Sequence, residues 1–153
     1  MQANDIQGLV AQAAMLIETF PQADLIRGIH CLTVPATNPG GFRTRFAIDE
    51  QQCTLYFDEC AVDVASTAQA LELLELALSG ELRLRIDTVS GRPHRWSVER
   101  RKVDGGWRTE HVVSVFNFKF WGRTASVCRQ NDFGPRVRAP ANEMSSELTG
   151  IAA

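Results

Sequence analysis

His111 is the side chain best placed to do chemistry in this 153-residue sequence. Trp107, Thr109, His111, Val113 and Val115 recur at every second position, which puts the imidazole on the inner side of a strand. An inward imidazole is either a satisfied core histidine, the commoner case, or a general base lining a pocket. His30 lies in an apolar segment, and His94 follows the Gly91-Arg92-Pro93 turn at a strand start. No two of the three histidines stand four apart, so no single element offers a metal pair, and no metal or cofactor is expected. Cys31, Cys53, Cys60 and Cys128 form no C-x-x-C, and the N-terminus shows no export signal. They read as reduced thiols, with Cys31 and Cys53 as small buried hydrophobes. Asp58 and Glu59 are neighbours on a strand and point to opposite faces, so they are not a catalytic pair. No H-E-x-x-H, G-x-S-x-G, Walker-type loop or G-x-G-x-x-G occurs. Catalysis therefore has no motif behind it.

The arginines offer a second kind of chemistry. Alternation from Glu81 onward places Arg83, Arg85, Arg95, Arg101 and Arg108 on the outer face of a meander. The same parity places Glu81, Asp87, Glu99 and Glu110 beside them. A mosaic of that kind pairs across strands and is not the unbroken basic stripe that phosphate backbones require. Trp96 falls on the inner side with Val98, so it reads as core and not as a base-stacking platform. Nucleic acid is not expected as a partner. The net charge of −2 hides an asymmetry of −7 over residues 1–80 and +5 over residues 81–153. Such a split marks either a basic surface or an acidic half packed beside a basic one. The remaining oddity is aromatic. Phe116, Phe118, Phe120 and Trp121 crowd a segment apolar on both faces, which suits a doubly covered strand or an edge that holds a partner.

These residues need elements to carry them. Ile6, Leu9, Val10, Ala13, Leu16, Ile17 and Phe20 form one stripe at helical spacing, with Asn4 or Asp5 as cap and Pro21 as stop. A short strand is expected from Ile29 to Val34. A hairpin follows, with Phe42, Thr44, Phe46 and Ile48 in one arm and Cys53, Leu55 and Phe57 in the other. Ser66-Thr-Ala-Gln69 has capping-box spacing for a helix to about Leu78, closed by Gly80. Leu82, Leu84 and Ile86 then open the meander opposite Arg83, Arg85 and Asp87. Asp104-Gly105 predicts a type I′ hairpin. From Asp132 the periodicity is lost.

The expected class is α+β: a single curved antiparallel sheet of three strands, a helix and a three- to four-stranded meander, packed on the N-terminal and central helices. It forms one domain over residues 1–131, with 132–153 a loosely attached tail. This order resembles the cone-shaped nuclear-transport-factor-like and cystatin-like domains, and Asp104-Gly105-Gly106-Trp107-Arg108 resembles a hairpin common in the former. The resemblance covers a few residues and implies a sheet wrapped around a cavity. Strands near Ile29 and after Phe120 depart from its simplest version.

Two functions fit. One is a non-enzymatic protein-binding module of adaptor, chaperone-like or immunity type. The other is a small-molecule pocket protein or enzyme lined by His111. The binding candidates are His111, Trp107, Phe118, Phe120 and Trp121, with a homodimer through the aromatic edge as one use of the last three. No apolar run approaches the ~20 residues of a membrane span, so a soluble, cytoplasmic protein is expected.

Overall fold

Ile6, Leu9, Ala13, Leu16, Ile17 and Phe20 are all buried, as one apolar helical stripe requires. They belong to or directly follow α1 (Ala3–Glu18), which starts before the expected cap. The computed structural model describes residues 3–49, 52–115 and 122–134. After α1 come β1 (Ile26–Arg27), β2 (Cys31–Val34), β3 (Thr44–Asp49), β4 (Gln52–Phe57) and β5 (Cys60–Val64). Then follow α2 (Thr67–Ser79), β6 (Leu82–Val89), β7 (Arg92–Arg101), β8 (Trp107–Ser114) and β9 (Thr124–Gln130). Among the described residues no helix is long and apolar enough to cross a membrane.

The class is α+β, but the strands form two antiparallel sheets where one curved sheet was expected. Sheet A has the order β1-β2-β3-β4-β5 and sheet B the order β8-β7-β6-β9. Five strands precede α2, not three. The segment expected as one strand from Ile29 to Val34 turns at Gly28, whose N–H donates to Cys31 O at 2.8 Å, leaving Ile29 94% exposed. Cys60, Val62 and Val64 are buried while Ala61 and Asp63 face outward, so β5 is an alternating strand overlooked in the run before the helix. Capping of α2 is as expected. Gln69 N–H donates to Ser66 Oγ at 3.1 Å, Gln69 Oε1 accepts from Ala65 N–H at 2.9 Å, and Gly80 closes the helix in the left-handed region. Ala70, Leu74, Ala77 and Leu78 join both sheets and α1 in one core.

Sheet B departs from simple alternation at two bulges. Pairing steps from Val98↔His111 to Glu99↔Thr109, which leaves Glu110 as an extra residue in β8. A second step, from Asp87↔Arg95 to Thr88↔Pro93, leaves His94 extra in β7. The first inverts the parity of β8: Trp107 and Thr109 share the outer face with Glu99 and Arg101, while His111 and Val113 stay inward. The β7–β8 connection also differs from a type I′ turn. Only Gly105 has positive φ, Gly105 N–H donates to Lys102 O at 2.9 Å, and Lys102 N–H donates to Gly106 O at 2.7 Å. That is a three-residue loop ending on a left-handed glycine.

Leu82, Leu84, Ile86, Trp96 and Val98 are buried on the inner face as expected; Val113 is partly buried, and Val115, beyond the end of β8, is 55% exposed. Phe133 is 1% exposed and belongs to the core, and residues 135–153 of the expected tail lie outside the described residues. Leu84 is fully enclosed. Its truncation to Ala leaves a cavity under α2 and β7, and chemical denaturation should show a loss of about 2–5 kcal/mol.

Candidate functional site

The Glu110 bulge builds a charged stack on the outer face of sheet B. Trp107, carried to that face, lies under two guanidinium groups, Arg83 at 4.4 Å and Arg101 at 4.9 Å from its ring centroid. Arg83 is ion-paired through Nε to Glu99, its direct cross-strand partner. Glu99 is 6% exposed, against the expectation that it faces solvent. A buried carboxylate needs a paired cation, and Arg83 supplies one. Four residues along β6 from Arg83, Asp87 Oδ1 accepts from Ser126 Oγ–H at 2.6 Å and from Arg85 Nε at 3.0 Å. Partial burial by itself pushes the Asp87 carboxyl upward, but the Ser126 hydroxyl and the Arg85 guanidinium hold it below its ordinary range. The outer face is thus a set of satisfied pairs. Arg95, directly opposite Asp87, is exposed and acts on that carboxyl through its charge without an ion pair.

His111 and Trp107, expected side by side, lie on opposite faces of sheet B. His111 faces inward opposite Val98 and is half-buried. Phe118, Phe120 and Trp121, and the aromatic edge they were to form, lie outside the described residues. Two cavities among the described residues are notable, and His111 is in the lining of neither. One, of about 380 Å³, lies between Ile6, Gln7 and Val10 of α1 and the Gly28–Leu32 segment, with Phe46 and Ile48 behind. The other, about 440 Å³ and polar, lies between the end of α2 and the end of β9, lined by Gly80, Glu81, Arg101, Gln130 and Asn131 among others. Cys31 lines the first. Burial pushes the Cys53 and Cys60 thiols up to about 11, so both are inert at neutral pH. Among the described residues no three His, Cys, Asp or Glu side chains converge as metal ligands.

The feature that alternation did not single out is β9 itself. It pairs with β6 in seven consecutive register positions without a shift, and its far side has no strand beside it among the described residues. Thr124 to Cys128 are exposed and carry no charge. Its end is anchored to sheet A. Gln130 N–H donates to Gly40 O at 2.8 Å, Phe42 N–H donates to the buried Asn131 Oδ1 at 2.9 Å, and Arg129 pairs with Asp58 at 2.8 Å. Gly41 is required there, since a Cβ would stand 2.7 Å from Asn131 Oδ1. The signal for an edge was present in the sequence as five uncharged residues between Arg123 and Arg129. It had no meaning until the pairing was known.

Comparison with family models, with curated proteins and with solved structures finds no match to this chain. The reading of the site therefore rests on its geometry.

The Asp87 network gives a pH-dependent test. Its carboxyl is lowered in the folded state, so its contribution is present above the unfolded pKa near ~3.9 and is lost as pH falls through the folded value. Ser126→Ala should cost about 1–2 kcal/mol at pH 7, with the deficit shrinking below about pH 4. Urea denaturation at pH 7 and pH 3 measures both.

Proposed function

We propose that this chain is a non-enzymatic protein-binding module that holds its partner along the open edge of β9. The observation that carries this reading is the contrast among the four sheet edges. Unpaired edges template further strands, and folded proteins blunt them with short length, charge or bulges. β1 is two residues long and carries Arg27; β5 carries Asp63 and lies beside β8; β8 carries Arg108, Glu110 and the bulge. β9 alone is long, regular and uncharged over Thr124–Cys128, with Val127 52% exposed. Adding a strand to such an edge is a standard mode of recognition, in which main-chain bonds supply affinity.

The paired outer face supports the same reading over nucleic-acid binding. On that face Arg83, Arg85 and Arg101 are each paired with a carboxylate, so its cations do not form an unbroken row for phosphates. A second reading, small-molecule binding, moves from His111 to the apolar cavity of about 380 Å³ between α1 and the Gly28–Leu32 turn. That volume suits a small ligand. No Asp, Glu, Lys or Arg lines it, and His30 and Cys31 are its titratable side chains.

Lysines on an edge strand oppose docking without touching the core. A Thr124→Lys, Cys128→Lys double variant should retain a cellular partner about tenfold less than wild type in affinity capture with quantitative mass spectrometry. Gln12→Lys, on the exposed side of α1, should retain it fully. Equal retention by the edge variant removes β9 as the docking strand.

A further inference from the structure

Hydrogen bonds at its two ends fix which residues of β9 face outward. In an antiparallel ladder the residues of a strand alternate, one exchanging both bonds with its neighbour and the next exchanging none. Ser90 N–H donates to Arg123 O at 2.9 Å, so Arg123 faces β6. Gln130 N–H donates to Gly40 O, so Gln130 faces away. The register between them is unbroken. Ala125, Val127 and Arg129 therefore bond to β6, and the N–H and C=O groups of Thr124, Ser126 and Cys128 point to the open side. Gly40 closes that side at Gln130. Among the described residues the free template is five residues long.

A second copy of the chain fits this template badly. Two copies of β9 pairing about a two-fold axis keep their faces, so like parity must meet, and using all the outward groups requires Ser126 to oppose Ser126. The copy's Arg123 would then oppose Arg129, and its Gly122 would fall where Gly40 already sits. Arg123 cannot swing aside freely, since its carbonyl is held by Ser90. An unrelated segment that ends after five residues meets neither obstacle.

We infer that the occupant is an extended, uncharged five-residue segment of a different protein, running antiparallel to β9 and followed by a carboxylate. The inference rests on the edge reading above. Side chains opposite Thr124, Ser126 and Cys128 share a polar face, and those opposite Ala125 and Val127 share the face of an exposed valine. The segment thus alternates small polar and apolar residues and contains no proline, which would forfeit a bond. The carboxylate follows from charge. Antiparallel pairing brings the end of the segment to Arg123, which has no ion-pair partner among the described residues and flanks the Ser90-Gly91 turn together with exposed Arg92. At the other end Arg129 is already neutralised by Asp58.

The probe is acetyl-Thr-Val-Thr-Val-Thr-Asp-amide, titrated to millimolar concentration into the full-length, isotope-labelled chain under reducing conditions. The expected result is saturable NMR shifts at the amides of Thr124, Ser126 and Cys128. Replacing the terminal Asp by Lys should weaken binding several-fold, and Cys128→Pro should weaken it about tenfold, because that N–H is not used by β6 and the ladder survives. Sedimentation should show a monomer. A dimer abolished by Cys128→Pro overturns this occupant while leaving the edge reading standing. Shifts confined to other strands, or none at saturation, overturn the inference; if the edge lysines also leave partner retention unchanged, the edge reading falls with it.

Discussion

The buried side chain of Asn131 sets where sheet B ends against sheet A. It accepts the Phe42 N–H that begins the approach to β3, beside an Arg129–Asp58 pair at 2.8 Å and the Gln130–Gly40 bond. Asp58 is itself held, since its other oxygen accepts from Arg43 N–H at 2.8 Å. These contacts join residues far apart in sequence and so cost loop-closure entropy that the shared core must offset. They also make the two ends of β9 unlike. One end is tied, neutralised and closed by Gly40; the other is cationic and, among the described residues, open. A polarity of that kind gives an incoming strand one direction and one length.

The charge asymmetry of the sequence has a structural counterpart in the same contacts. Arg129 to Asp58 and Arg100 to Glu72 each join the basic second half to the acidic first half. The outer face of sheet B settles its charges internally, through Arg83 with Glu99 and Arg85 with Asp87. Surface pairs of this sort add little stability individually. Their use here is registry: Asp87 touches Ser126 across the β6–β9 boundary, and Arg83 holds Glu99 across β6–β7.

Local pattern was enough for the helices and for the faces of β6. The stripe from Ile6 to Phe20, the Ser66–Gln69 cap and the Leu82–Ile86 alternation each depend on near neighbours only. The errors share a cause. A one-residue insertion at Glu110 reverses every side chain before it in β8, so Trp107 moved from core to surface and Glu99 from surface to burial. β8 and β9 follow one another in sequence yet occupy opposite edges, so no local rule could divide the strands into two sheets or show that Thr124–Cys128 is an edge. The candidate site was legible only in composition. His111 kept its inward face but lines neither the α1 cavity nor the one at the end of α2.

Amide hydrogen exchange of the isolated, full-length chain, read residue by residue by NMR, tests the open edge most directly. The account predicts alternation along β9: slow exchange at Ala125, Val127 and Arg129, whose N–H groups bond to β6, and fast exchange at Thr124, Ser126 and Cys128. Gln130, held by Gly40, should be slow again. Uniform protection from Thr124 to Cys128, or protection with the opposite phase, would show that the edge is already occupied or faces the other way, and would contradict the account.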